Sequence, residues 1–206
     1  SGLAGFRPDS NYLHAAPMFH LANGAATFAV TSVAGGSTMI TAFDPAEVLR
    51  AIAREKVTIT MLIPTMINMV INHPEATDAD LSSLRNILYG ASPMPEAVIA
   101  KALETIPQTR FMQAYGQTES SPVLTVMEHE YHVTSGPLSG KIRSAGRAVP
   151  GVEMKILDAD DHEVPRGTVG EICGRGDNVM QGYWKQPELT AQTLRGGWLH
   201  TGDGGY

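Results

Sequence analysis

Residues 111–122 read FMQAYGQTESSP. An apolar, strand-like run from Phe111 to Tyr115 breaks at Gly116, and Gln117, Thr118, Glu119, Ser120 and Ser121 then cluster hydroxyls around one carboxylate. At a strand exit Glu119 can ligate Mg²⁺, because hard cations on phosphates are typically held by one or two carboxylates, and Thr118 can donate to a phosphate oxygen. The plainer reading is a surface turn whose Ser and Thr satisfy backbone groups. Tyr115 can lay its ring against a base, or serve as a core tyrosine with a bonded hydroxyl. Gly90, Ala91 and Ser92 lack bulk and would let backbone approach a planar ligand, with an ordinary Ser-Pro turn as the alternative. Asp203, in TGDG, can accept two hydrogen bonds from a ribose diol, although Asp-Gly is also a common turn pair. His20 follows Phe19 on an apolar stretch, where a lone histidine is more often a satisfied core residue; His14 is read the same way. The ten methionines converge with neither His nor Cys and are read as core filler rather than copper ligands.

These residues need elements to position them. Tyr12 to Ala15 reads as a strand, Leu21 to Ala34 as a buried helix, and Ser37 to Ala42 as a strand after a glycine pair. Asp44 offers an N-cap, Pro45 a first helical position and Glu47 a third, a capping-box arrangement that opens a helix through Val48, Leu49 and Ile52. Val57 to Leu62 is strand-like, Pro64 opens a helix that His73-Pro74 ends, and Arg85 to Tyr89 returns as a strand. Pro95 begins a helix with Val98, Ile99, Ala102, Leu103 and Ile106 on one stripe, before the strand Arg110 to Tyr115. This alternation predicts an α/β fold with a mostly parallel sheet, since helices supply the crossovers that parallel strands need. Ligands in such sheets bind beyond the carboxyl ends of the strands, where PMFH, GASP and GQTES all fall. Beyond Val123 the style changes: Glu128 to Pro150 is loop-like, and Val152 to Asp158 and Thr168 to Gly174 predict an antiparallel pair around a turn-rich Ala159 to Gly167. A short helix is expected over Pro187 to Leu194. The expected division is 1–125 as the α/β subdomain and 126–206 as a smaller β-rich, barrel-like one.

Composition narrows the partners. With 15 Lys plus Arg against 21 Asp plus Glu the formal net charge is -6, and no basic run builds a footprint for nucleic acid or anionic membranes. The apolar stretch between Asp9 and Asp44 is broken by Asn11, His14, Pro17, His20, Asn23 and Gly35-Gly36, so no transmembrane segment is expected. The N-terminus lacks the pattern of a secretory signal. Cys173 stands alone, which excludes an intrachain disulfide and fits a reducing, cytoplasmic setting.

Six ordered stretches resemble the adenylate-forming superfamily of acyl- and aryl-CoA synthetases, luciferases and peptide-synthetase adenylation domains. They are YLHAAPMFHLANG (12–24), LYGASPMP (88–95), FMQAYGQTES (111–120), GRAVPGVEMKILD (146–158), VGEICGRGDNVMQGYWKQPELT (169–190) and GWLHTGDGGY (197–206). The resemblance implies that Tyr115 packs near adenine and ribose, Thr118 binds the α-phosphate, Glu119 holds Mg²⁺ and Asp203 binds the ribose hydroxyls. It further implies that Gly90, Ala91 and Ser92 border adenine and the acyl carbonyl, and that His20 sits at the carboxylate end of the acyl pocket. The implied reaction joins a carboxylic acid to AMP from ATP, releases pyrophosphate, and passes the acyl group to CoA. Relatives that activate amino acids place an aspartate near the PMFH block; Pro17 to Thr27 holds no acidic residue, so a fatty or aryl acid with an uncharged tail is expected, with Gly24, Ala25 and Ala26 leaving room for it.

Two family features have no counterpart in the 206 residues: a Ser/Thr/Gly-rich phosphate loop with its lysine, and a C-terminal domain with a catalytic lysine. The chain therefore looks like a central piece of the larger enzyme, expected to be inactive alone. Ala114 stands where many CoA ligases have glycine, which would narrow the acyl pocket. The competing reading is a non-catalytic nucleotide-binding or interaction module that kept this fold.

Overall fold

The computed structural model describes residues 5–206. The absence of a secretory signal is a reading that falls partly on residues outside that range. The strands are β1 (Asn11–His14), β2 (Gly36–Met39), β3 (Ile59–Met61), β4 (Asn86–Gly90), β5 (Arg110–Tyr115), β6 (Thr125–Met127), β7 (Arg147–Ala148), β8 (Val152–Leu157), β9 (Gly170–Gly176) and β10 (Leu199–Gly205). The helices are α1 (Leu21–Ser32), α2 (Pro45–Glu55), α3 (Pro64–Ile71), α4 (Glu96–Thr105) and α5 (Pro187–Thr193). A mixed, mostly parallel sheet runs in the order β2-β1-β3-β4-β5-β6-β7, and a separate antiparallel sheet in the order β10-β9-β8. The chain divides into two compact units, one reaching Ala114 and including Met127–Gly146, the other made of Tyr115–Val126 and Arg147–Tyr206.

In the first unit β1 pairs in parallel with β2 and β3, β3 with β4, and β4 with β5. Successive residues of a strand face opposite sides, and β1 shows the result. Leu13 joins Val48, Leu49 and Ile52 of α2 and Ile67 of α3 in the main core. Its neighbour Tyr12 packs with Ala26 and Val30 of α1 in a second cluster on the other face. Helices on both faces are what a parallel sheet needs to bury its two apolar sides. Fully burying side chains such as Leu49 and Ile52, each 1% exposed, stabilises by about 1.5–3 kcal/mol apiece.

The helix starts follow local chemistry. Asp44 Oδ1 accepts the Glu47 N–H at 2.8 Å, with Pro45 in the first turn of α2. The Glu47 carboxylate turns to Arg50 at 3.7 Å and Arg54 at 3.5 Å, so the cap is made by Asp44. On α4, Ile99 and Ala102 are buried, as is Ile106 at its C-terminal cap, with Val98 and Leu103 packed beside them. Helix α1 departs from the expectation of a buried helix: Asn23, Ala26 and Val30 are buried, but Phe28 is 78% exposed. Asn23 is the polar tie that seats α1, accepting the Tyr12 O–H at 3.0 Å and donating to the Ala16 carbonyl. The stretch expected to be loop holds 3₁₀ turns at His129–Tyr131 and Ser139–Arg143 and delivers His132 into the unit's interior.

In the second unit β8 and β9 pair antiparallel from Val152↔Gly176 to Leu157↔Glu171, and β10 adds along the other side of β9. Strand β10 was not expected from the sequence, because LHTGDGG is too rich in glycine to read as one. Short β6 and β7 pair antiparallel, Thr125 opposite Ala148. No helix among the described residues is long and apolar enough to cross a membrane.

Candidate functional site

In the second unit the chain leaves β5 at Gly116 and doubles back, with the Leu124 N–H donating to the Tyr115 carbonyl at 2.8 Å. A Cβ at Gly116 would lie 2.2 Å from the Pro122 carbonyl oxygen, so no larger residue fits this return. Ser120 supplies the turn chemistry that the plain reading expects: its Oγ accepts the Gln117 N–H at 3.1 Å and donates to the Gln117 carbonyl at 2.9 Å. That work uses Ser120 and leaves Thr118 out. Thr118 opens the 3₁₀ turn Thr118–Ser120 with its side chain exposed, and its hydroxyl has no partner among the described residues.

Glu119 is anchored from the segment that follows β9. The Met180 N–H donates to the Glu119 carbonyl at 2.8 Å, and Asn178 Nδ2 donates to the carbonyls of Ser120 and Val123 at 2.7 and 2.9 Å. The Tyr183 O–H donates to Glu119 Oε1 at 2.7 Å, and that bond leads burial in pushing the Tyr183 phenol above its ordinary pKa. Oε2 accepts no hydrogen bond among the described residues. A fixed carboxylate with one open oxygen has the chemistry of a single-carboxylate Mg²⁺ ligand.

Tyr115 and Asp203 meet directly. The Tyr115 O–H donates to Asp203 Oδ2 at 2.7 Å, and burial pushes this phenol well above its ordinary pKa. Asp203 itself is exposed, and Oδ1 has no partner among the described residues. Its backbone is set by Thr201, whose Oγ1 donates to the Ile172 carbonyl at 2.7 Å and accepts the Asp203 N–H at 3.1 Å. The result is an acidic side chain held at one oxygen and open at the other.

The remaining candidates lie in the first unit. Gly90 ends β4 opposite Ala114, and a Cβ there would stand 2.2 Å from the Ala114 carbonyl oxygen. Ala91 follows with φ of 64°, a left-handed backbone that side chains rarely adopt. Ala91 and Ser92 are exposed at the carboxyl end of the strand. His20 is exposed and caps α1, Nδ1 accepting the Ala22 N–H at 3.1 Å, so it is not the core histidine its apolar context suggests. His14 is the buried one, 2% exposed with Nε2 3.4 Å from Ser37 Oγ, but it is not fully satisfied, since Nδ1 has no hydrogen-bond partner among the described residues. The small residues of α1 are packed: Ala26 sits in the core, and a Cβ on Gly24 would meet the Met18 carbonyl at 2.6 Å.

Residues 2–184 match the family model described as AMP-binding enzyme. The chain belongs to the AMP-binding enzyme family. It is 38% identical over 196 residues to a feruloyl-CoA synthase from an Amycolatopsis species, covering 95% of this chain and 38% of the synthase. Among solved structures it is similar to the amide bond synthetase McbA from Marinactinospora thermotolerans, at TM-score 0.89 and 34% identity over 98% of this chain and 39% of that one. It is also similar to the O-succinylbenzoate coenzyme A synthetase MenE from Bacillus subtilis in complex with ATP and magnesium ion, at TM-score 0.84 and 29% identity over 98% of this chain and 40% of that one. The chain thus spans about two fifths of the length of these three proteins.

Within this member of the AMP-binding enzyme family, sequence reasoning passed over Asn178, Tyr183 and Thr201. The stretch DNVMQGYW offered a signal, since polar Asn178 and Tyr183 flank a glycine after a strand, yet only the fold shows that they serve Glu119. A buried cluster was missed as well. Glu171, Cys173 and His200 bring a carboxylate, a thiol and an imidazole within 4.8 Å of one another. Hydrogen bonds occupy it: His200 Nδ1 lies 2.8 Å from Glu171 Oε2 and 3.3 Å from Cys173 Sγ, and burial pushes the thiol up to about 11. A thiol so disfavoured as thiolate is a packing group rather than a nucleophile.

Proposed function

We propose that this chain forms the AMP-binding part of an ATP-dependent ligase that activates a carboxylic acid as acyl-AMP and transfers the acyl group to CoA. The observation that carries the reading is the pair Tyr115 and Asp203, joined at 2.7 Å with one carboxylate oxygen left open beside a half-buried phenol. That is a suitable receptor for the two hydroxyls of a ribose. Thr118 has a hydroxyl free to donate to the α-phosphate, and Glu119 has an oxygen free for Mg²⁺. Mg²⁺, when bound, would neutralise charge on the phosphate oxygens. The family resemblance assigns Tyr115 to adenine and ribose, Gly90, Ala91 and Ser92 to adenine and the acyl carbonyl, and His20 to the carboxylate end of the acyl site.

The chemistry explains the residue types. A carboxylate is a poor acyl donor because oxide is a poor leaving group. Its oxygen attacks the α-phosphorus, pyrophosphate leaves, and the thiol of CoA then displaces AMP from the acyl carbon. The protein aligns the two reactants and stabilises charge that builds on phosphate, so no protein nucleophile is needed. The acid has an uncharged tail, fatty or aryl, since Pro17 to Thr27 offers no carboxylate for a substrate ammonium.

The test supplies the full-length protein with ATP, Mg²⁺ and a panel of fatty, aryl and amino acids, and follows pyrophosphate and AMP. Acid-dependent pyrophosphate release with a fatty or aryl acid supports the reading, and none with any acid refutes it. A second reading, favoured by the 34% identity to an amide bond synthetase, keeps adenylation and makes an amine the acceptor. Product analysis with CoA and amines offered together separates the two.

A further inference from the structure

Strands β9 and β10 pair at Leu199↔Gly174 and His200↔Cys173, lose register, and resume at Gly204↔Glu171 and Gly205↔Gly170. Three residues of β10, Thr201, Gly202 and Asp203, therefore stand opposite Ile172 alone. A bulge of this kind takes main-chain groups out of the ladder and re-aims a side chain. The Gly202 N–H, at a left-handed φ of 77°, is one of those groups. It does not go unpaired: Glu171 Oε1 accepts it at 2.9 Å.

The other oxygen of the same carboxylate is also occupied. Oε2 lies 2.8 Å from His200 Nδ1 and accepts from Arg195 Nη2 at 3.2 Å. Glu171 is thus tied to the residue that enters the bulge, to the glycine at its crest and to the turn that precedes β10. Burial raises its pKa, but His200, the Gly202 N–H and Arg195 outweigh that and hold the carboxyl below its ordinary value. Charge-assisted bonds to backbone N–H groups are among the stronger hydrogen bonds, and two acceptor oxygens with three donors fix an orientation that one contact would not.

We propose that Glu171 is a positioning residue for nucleotide binding: from β9 its carboxylate holds the β10 bulge in the shape that presents Asp203. Thr201 fixes the bulge from within, and Glu171 fixes it from the neighbouring strand. The proposal rests on the reading of Asp203 as the ribose ligand.

The experiment uses the full-length protein and ATP–pyrophosphate exchange, with KM measured separately for ATP and for the acid, in Glu171→Ala, Glu171→Gln, Asp203→Ala and the double alanine variant. Glu171→Ala should raise the KM for ATP about 5–10-fold, the scale of one ordinary hydrogen bond, and leave the KM for the acid unchanged. Glu171→Gln, whose side-chain carbonyl can still accept the Gly202 N–H, should recover part of the loss. The double variant should be no worse than Asp203→Ala, because both changes act through one group. A wild-type KM for ATP in Glu171→Ala beside a raised one in Asp203→Ala would overturn the proposal and leave the ribose reading standing. An unchanged KM in Asp203→Ala would overturn both. Amide hydrogen exchange over residues 199–205 gives a readout free of turnover: it should quicken in Glu171→Ala, and in a smaller degree in Glu171→Gln if the alanine variant does not fold. Wild-type exchange rates there would also sink the proposal.

Discussion

Tyr115 and Asp203, 88 residues apart in the chain, meet in a 2.7 Å hydrogen bond that the phenol donates and the carboxylate accepts. The pairing joins the end of β5 to the bulge of β10 within one compact unit. Burial raises the phenol above its ordinary pKa, which keeps its proton on the oxygen that donates the bond at neutral pH.

Removing that donor should weaken nucleotide binding without harming the fold. Tyr115→Phe keeps the ring and drops the hydroxyl, so the KM for ATP should rise about 3–10-fold, the scale of about 1 kcal/mol for one hydrogen bond. Steady-state pyrophosphate release against ATP checks this, and a KM equal to wild type would detach Tyr115 from the nucleotide.

Glu119 and Tyr183 should separate in the Mg²⁺ they require. Glu119→Ala deletes the ligand and should raise the Mg²⁺ concentration for half-maximal adenylation by at least about 10-fold. Tyr183→Phe frees the carboxylate to wander and should raise it by a smaller factor, about 2–5-fold. Titration of Mg²⁺ at saturating ATP distinguishes them; equal wild-type curves would remove Glu119 from the metal.

Gly90→Ala tests the close approach of β4 to β5. The added methyl would meet the Ala114 carbonyl oxygen at 2.2 Å, backbone that cannot step aside without breaking the pairing. Loss of about 3 kcal/mol or more is expected, read as a large fall in Tm or as insoluble protein. A variant that melts like wild type would contradict the geometry.

The sheet pattern was legible in the sequence where local chemistry and tertiary packing agree. Asp44 and Pro45 announce α2 by composition, and the stripe from Val98 to Ile106 announces α4 by period. The strand β10 was not legible, since its three glycines argue against a strand and only the partner β9 holds them there. The same holds for the site. Thr118, Glu119 and Asp203 are visible as polar residues at turns, but Tyr183, Asn178 and Glu171 act through contacts 24 to 64 residues away in sequence, which no local pattern encodes. His20 shows the reverse failure, because an apolar context says nothing of the helix start that exposes it.

Acid should destabilise the first unit through His132. This ring is 4% exposed, with Nδ1 3.0 Å from the Glu128 carbonyl and Nε2 2.9 Å from the Tyr89 hydroxyl. Both contacts are satisfied by the neutral ring, with Nδ1–H donating and Nε2 accepting. Burial lowers its pKa from 6.5 to about 4. The folded value lies below the unfolded one, so the contribution is complete above pH 6.5 and is lost as pH falls from there toward 4. The loss is on the order of 3 kcal/mol. A Tm series from pH 7.5 to 4.5 should fall less steeply in His132→Gln than in wild type; parallel curves would assign the acid sensitivity elsewhere.

The most direct test of the central claim is the ATP dependence of ATP–pyrophosphate exchange in full-length Asp203→Ala, run with a saturating fatty or aryl acid. A KM for ATP raised about 10-fold or more, with the KM for the acid unchanged, is the result predicted for a carboxylate that holds the ribose. A KM for ATP equal to wild type would contradict it.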